Sequence, residues 1–406
     1  MIEIRKAQTT NGHRIDHFVE SGEDRIIHAE NLMLFPALID PHVHFRVPGG
    51  EHKETWETAA KAAIAGGITT VFDMPNNQPS CYSEERLDQK IELIEQQLKK
   101  TGIPLRYYLY LGADQKHLDQ IPKVKDRIIG LKIYMGSSTG DLLMDDPQAL
   151  EKAFKIAGEN GVLVTVHAED ERAIERNRKE FPSPHPSVHS KIRNPEVAAS
   201  AVAQAIELAK KYKTRLYIAH VSSKAELDLI RAAKKEGLPV YAEAAPHHLF
   251  LNDELYEKLG SFALVNPPLR SKKDTEALWE GIYDETIDTI GSDHAPHTIE
   301  EKKRPYGSAP AGFPSIELYF SLFLNAYHEK KISLEQIVSL THTRPQEIFN
   351  LPLNDDLILV DLEKRKSIED ARLYTKAQWS PYAGRTVRGC PLYTILKGKL
   401  YDLGKL

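Results

Sequence analysis

Two histidines stand one residue apart where the apolar run of "LFPALIDPHVHFRVPGG" ends, and neutral imidazoles so placed can ligate a divalent cation. On an extended strand His42 and His44 point to the same face, with Cα atoms about 6–7 Å apart. That pair alone is equally compatible with two polar residues at a strand end. Other apolar segments, however, run into residues of the same kind. "VLVTVHA" reaches His167, "RLYIAHV" reaches His220, and "TIDTIGSDHAPH" reaches Asp293, His294 and His297. "IIGLKIYM" carries Lys132, and "ITTVFDMPNN" carries Asp73 and Asn76. A lone histidine at a strand end is ordinarily a hydrogen-bonded rim residue, and a lone lysine an ion-pair partner. Convergence of His42, His44, His167, His220 and Asp293 on one rim is hard to obtain without a metal.

The donor set narrows the ion. Imidazole and carboxylate ligands without paired cysteines favour Zn²⁺ or a similar divalent cation. Five such ligands exceed what one catalytic zinc needs, so two metals are implied, and two close metals need a bridging anion. Lys132 can provide one only after chemistry: a neutral, desolvated amine adds CO₂ to give a carbamate, and burial lowers a lysine pKa toward that state. Asp141, Asp145 or Asp146 could bridge instead. His247 and His248 in "APHHL" look ligand-like, but a structural or supporting role is the simpler expectation.

The elements that must position these groups are legible as alternation. Eight β-rich apolar segments, from "LFPALID" to "TIDTIGS", are separated by helical patterns such as "ETWETAAKAAIAG", "EERLDQKIELIEQQLKK", "DPQALEKAFKIAGEN" and "NPEVAASAVAQAIELAKKY". Their apolar residues recur at three- and four-residue spacing, and several open on Ser, Asp or Asn. The pattern predicts an α/β fold, a parallel (β/α)8 TIM barrel over residues 38–350, whose catalytic groups sit at the C-terminal strand ends. A doubly wound open sheet would ordinarily carry a Gly-rich phosphate turn after its first strand, and "HVHFRVPGGEH" is not one. Residues 1–37 and 351–406 fit the barrel poorly. "MIEIRKAQ", "DLILVDLEK" and "LYTILKGKLYDLG" read as strands of a small accessory β-domain formed from both termini, whereas "NGHRIDHFVESGEDRIIHAE" is too polar to show a period.

Composition excludes other classes. The 406 residues are 41% hydrophobic and 27% charged, with a formal net charge of −5, which offers no basic face for nucleic acid. No apolar run is long enough to cross a membrane, and "MIEIRKAQTTNG" does not read as a signal peptide. Cys81 and Cys390 make no disulfide framework, so a cytoplasmic location is the expectation.

Taken together, "DPHVHFRVPGG", "AGGITTVFDMPNNQP", "GLKIYM", "HAED", "AHVSS", "EAAPHHLFL" and "SDHAPHTIEEK" resemble the cyclic amidohydrolases of the amidohydrolase superfamily, and within them the dihydroorotase family, over roughly residues 34–350. The resemblance implies two Zn²⁺ ions: His42, His44 and Asp293 would hold one, His167 and His220 the other, with carboxylated Lys132 bridging. It also implies that Arg46, Asn76, Asn266 and His297 contact substrate, and that "GSSTGDLL" is a mobile loop in which Ser138 or Thr139 touches it. The implied reaction is the reversible cyclisation of N-carbamoyl-L-aspartate to L-dihydroorotate, the third step of pyrimidine biosynthesis. A metal-bridging hydroxide and Asp293 as general acid/base would carry the hydrolytic direction, and the implied assembly is a homodimer. Hydantoinases and allantoinases share the ligands, so substrate choice would rest on Arg46 and His297, the Arg46 guanidinium suiting a carboxylate. An inactive scaffold for aspartate transcarbamoylase is a further alternative, although such proteins lose metal ligands and none is lost here. Val47 departs from the family's frequent Glu, and Ala219 stands where some members carry a cysteine for an extra metal, which argues against a third ion.

Overall fold

The computed structural model describes all 406 residues. Eight strands form one parallel sheet in strict chain order: β5 (Leu38–Val43), β6 (Ile68–Asp73), β7 (Arg106–Gly112), β8 (Gly130–Tyr134), β9 (Val164–His167), β10 (Leu216–Ile218), β11 (Val240–Ala244) and β12 (Thr289–Ile290). The ends of the sheet meet through a parallel bridge between Val43 and His294, reinforced by the His44 N–H donating to the His294 carbonyl at 2.8 Å. The result is a nearly closed barrel. Its strands are almost continuously buried, as parallel strands covered on both faces must be.

Crossover helices follow the sequence pattern closely. Trp56–Ala65 starts at a Thr55 capping box, Glu84–Thr101 at Ser83, Pro147–Glu159 at Asp146 and Pro195–Tyr212 at Asn194. Each cap side chain accepts a backbone N–H that would otherwise lack a partner. Strand lengths follow the apolar runs less well. "TIDTIGS" contributes only Thr289 and Ile290, because the chain turns off the sheet to deliver Asp293 at a positive φ of 44°.

A second, seven-stranded sheet joins the two ends of the chain in the order β15 (Lys399–Asp402), β14 (Thr386–Leu396), β13 (Leu357–Ser367), β4 (Met33–Pro36), β1 (Ile2–Thr9) and β2 (Arg14–Val19), with β3 (Arg25–His28) also on β1. The seam is the antiparallel β4–β13 pairing, in which Phe35 faces Ile358 and Leu34 faces Leu359. The polar segment without a legible period thus forms β2 and β3. β2 lies at the sheet edge, where alternate residues meet solvent and only Val19 is fully buried, so its alternation is hidden by polarity on both faces. The second sheet has a small apolar cluster of its own around Ile2, Ile4, Leu359 and Ile395, and it also packs on the barrel. Met33, Phe35, Ile358, Val360 and Leu396 belong to the barrel's own apolar core, and Thr394 Oγ1 donates to Ile64 O at 2.9 Å.

Candidate metal centre

The side chains singled out at the strand ends converge on one cavity. It is lined by His42, His44, Arg46, Asn76, Lys132, Ser138, Thr139, His167, His220, Asn266 and Asp293. His297 does not line it. That ring is fully buried behind Arg46, with its Nε2 3.2 Å from Arg46 Nη2.

Hydrogen bonds fix which nitrogen of each ring faces inward. Glu243 Oε1 lies 2.7 Å from His42 Nδ1, and a carboxylate can only accept, so Nδ1 carries the proton and Nε2 presents a lone pair. Asn76 Oδ1 holds His44 Nδ1 at 2.8 Å, while Asn76 Nδ2 donates to Thr139 O at 2.8 Å, which sets the amide orientation. Glu169 Oε2 holds His167 Nε2 at 2.9 Å, turning His167 Nδ1 toward His220 Nε2 at 3.1 Å. Burial lowers the His44 pKa to about 3 and depresses those of His167 and His220, which keeps these three rings neutral.

The consequence is a group of electron-pair donors with no proton between them. His42 Nε2 is 3.4 Å and His44 Nε2 3.3 Å from Asp293 Oδ1, and one ligand atom from each residue fits within 4.8 Å. Two lone pairs and a carboxylate oxygen facing each other repel unless a cation sits among them. Beside them His167 Nδ1, left with its lone pair by the Glu169 bond, lies 3.1 Å from His220 Nε2, and His220 Nδ1 has no partner. Lys132 Nζ is buried without a hydrogen-bond partner, and burial lowers its pKa to about 8. This donor set fits divalent metals, and outer carboxylates orienting ligating imidazoles are the usual support for such a site.

Three rim residues hold backbone conformations that non-glycine residues rarely adopt: Arg46 at φ 65°, His220 at φ 39° and Asp293 at φ 44°. Such strain concentrates where a side chain must be aimed. Gly49 turns the segment after Arg46 at φ 85°, and a Cβ there would sit 1.9 Å from Gln78 O.

Other candidates are placed elsewhere. Asp141 accepts from Ser80 Oγ, Asp146 caps the helix Pro147–Glu159, and neither they nor Asp145 line the cavity beside Lys132. Asp73 pairs with Lys90 at 2.6 Å and accepts from Phe45 N at 2.7 Å, which anchors the His42–Arg46 segment. His294 turns away to Glu54 and the Ser315 N–H. His248 Nε2 donates to Pro267 O at 3.0 Å, as a structural histidine does, but His247 has both ring nitrogens unpartnered and lies 4.0 Å from Asp293 Oδ2. The sequence does not single out Glu243 and Glu169; for Glu243 the available signal is a lone acidic residue inside an apolar strand, "VYAEAA".

Comparison with known proteins agrees with this architecture. A family model described as Amidohydrolase family matches residues 33–400. The dihydroorotase of Methanosphaera stadtmanae is 33% identical over 401 residues, covering 94% of this chain and 88% of that protein. The multifunctional protein CAD of Squalus acanthias is 33% identical over 374 residues, which is 92% of this chain but only 15% of that much longer protein. Among solved structures, the L-hydantoinase (dihydropyrimidinase) of Arthrobacter aurescens superimposes with a TM-score of 0.92 at 25% identity, covering 99% of this chain and 96% of that one.

Proposed function

The chain belongs to the amidohydrolase family, and from that premise we propose that it is a dihydroorotase, interconverting L-dihydroorotate and N-carbamoyl-L-aspartate in pyrimidine biosynthesis. The observation that carries this choice is Arg46, a guanidinium aimed into the cavity of the metal ligands by a left-handed backbone and a bond from Nε to Pro296 O at 3.1 Å. A carboxylate on the substrate ring gives that charge its partner.

Within this reading His42, His44 and Asp293 would hold one Zn²⁺ and His167 and His220 a second, with carboxylated Lys132 as a ligand of the centre. The ions would supply Lewis acidity, polarising the ring carbonyl and lowering the pKa of a water at the centre. Arg46, Asn76, Asn266 and His297 would orient the ring, and the segment bearing Ser138 and Thr139 would cover it. Asp293 takes the proton from the attacking water and returns it to the ring nitrogen as the C–N bond breaks, leaving a free carboxylate and a ureido group. Ring closure runs the same transfers backward and takes up one proton. Burial of the donors excludes competing water and strengthens each charge interaction.

The remaining parts of the reading are a catalytic barrel of residues 38–350, an accessory unit of residues 1–37 and 351–406, a homodimeric assembly and a cytoplasmic location. No helix is long and apolar enough to cross a membrane. A second reading, a hydantoinase, is favoured by the close superposition on L-hydantoinase. The test is an ultraviolet assay of the zinc-reconstituted protein on dihydroorotate, hydantoin and allantoin side by side. Preference for dihydroorotate is expected; faster turnover of hydantoin would replace the first reading with the second.

A further inference from the structure

Behind the guanidinium of Arg46, four side chains form a continuous chain of contacts: Glu301, Lys53, His297 and Arg46. Lys53 Nζ lies 3.2 Å from Glu301 Oε1 and 3.1 Å from His297 Nδ1. The other ring nitrogen, His297 Nε2, is 3.1 Å from Ala311 O and 3.2 Å from Arg46 Nη2. Donor and acceptor counting decides the protonation of this ring. An ammonium has three N–H groups and no lone pair, so the Nδ1 opposite Lys53 must accept. A neutral imidazole then carries its proton on Nε2, which donates to the Ala311 carbonyl. A guanidinium also only donates. Arg46 Nη2 therefore meets an N–H and finds no acceptor in His297, while Arg46 Nε is satisfied by Pro296 O.

We propose that Lys53 is a positioning residue for the substrate carboxylate: by holding His297 as the Nε2–H tautomer, it keeps the Arg46 guanidinium from bonding inside the wall and leaves it available in the cavity. This inference rests on the dihydroorotase reading for the identity of the anion. Without the Lys53 cation, Nδ1 can carry the proton toward Glu301 Oε2, 3.7 Å away. Nε2 then becomes an acceptor, Arg46 Nη2 bonds to it, and substrate must displace that bond.

The test uses the zinc-loaded full chain and the variants Lys53→Met and Lys53→Arg. Lys53→Met should raise KM for L-dihydroorotate about tenfold, the scale of one charge-assisted hydrogen bond, with most of the loss in KM rather than kcat. Lys53→Arg, which keeps a donor-only cation, should restore KM. Long-range ¹H–¹⁵N spectra of ¹⁵N-histidine-labelled protein should show His297 as Nε2–H in the wild type and Lys53→Arg, and as Nδ1–H in Lys53→Met. A tautomer that is Nδ1–H in the wild type, or unchanged in Lys53→Met, overturns the proposal, as does a loss confined to kcat. If the wild type does not hydrolyse dihydroorotate, the dihydroorotase reading fails, and the spectra still decide the role of Lys53.

Discussion

Glu243 Oε1 lies 2.7 Å from His42 Nδ1, a bond that ties β11 to the end of β5 across 201 residues of chain. The same carboxylate accepts from His220 N at 3.0 Å and from Tyr217 OH at 2.9 Å, so one buried group aims His42 and fixes the backbone that carries His220. It serves both halves of the candidate metal centre.

Glu243→Gln should therefore weaken metal retention without removing a ligand. A roughly 10–100-fold loss of zinc affinity is expected, the scale for supporting partners of ligating histidines. Chelator competition measures it. Gly291→Ala should act in the same way, since a Cβ there would lie 2.5 Å from the Glu243 carboxylate and 2.9 Å from His42 Cβ.

Asp293→Asn separates metal binding from proton transfer. The amide oxygen still faces His42 and His44, so zinc content should stay near that of the wild type, while kcat falls about 10²–10⁴-fold with loss of the proton acceptor. Turnover near the wild-type rate would remove Asp293 from that role.

Lys132→Ala tests the bridge. Since none of Asp141, Asp145 or Asp146 lines the cavity, the variant should bind substantially less than two equivalents of zinc by elemental analysis. Full retention would show that another group bridges.

Lys90 is buried against Asp73 at 2.6 Å and also donates to Met74 O and Asn77 Oδ1. Lys90→Ala leaves Asp73 as an uncompensated buried charge, and a loss of about 3–5 kcal/mol in urea unfolding is expected.

Glu317 provides a pH test away from the site. Burial pushes its carboxyl pKa up to about 7 from 4.5, and only Oε2 has a partner, the Tyr374 N–H at 2.8 Å. The folded state thus binds this proton more tightly than the unfolded state. Its stabilising contribution is full below about pH 4.5 and is lost as pH rises through about 7. Stability of Glu317→Gln relative to the wild type should accordingly increase between pH 5 and pH 8, on the order of 2 kcal/mol by denaturant titration.

The sequence by itself determined the barrel and the rim. Apolar runs of strand length alternating with capped amphipathic helices leave few architectures, and the strand ends carry His42, His44, Lys132, His167, His220 and Asp293 in plain view. The paired termini are legible as well, except for β2 and β3, short strands of which only Val19 and Ile27 are buried. Only the tertiary structure decided which ring nitrogen faces inward, that Glu243 and Glu169 set that choice, that Asp73 anchors rather than ligates, and that His297 stands behind Arg46. The physical reason is that periodicity specifies which face a side chain occupies, whereas hydrogen-bond partnership depends on strand register and backbone aim. Those are fixed to within an ångström only when the sheet closes, at Val43 and His294.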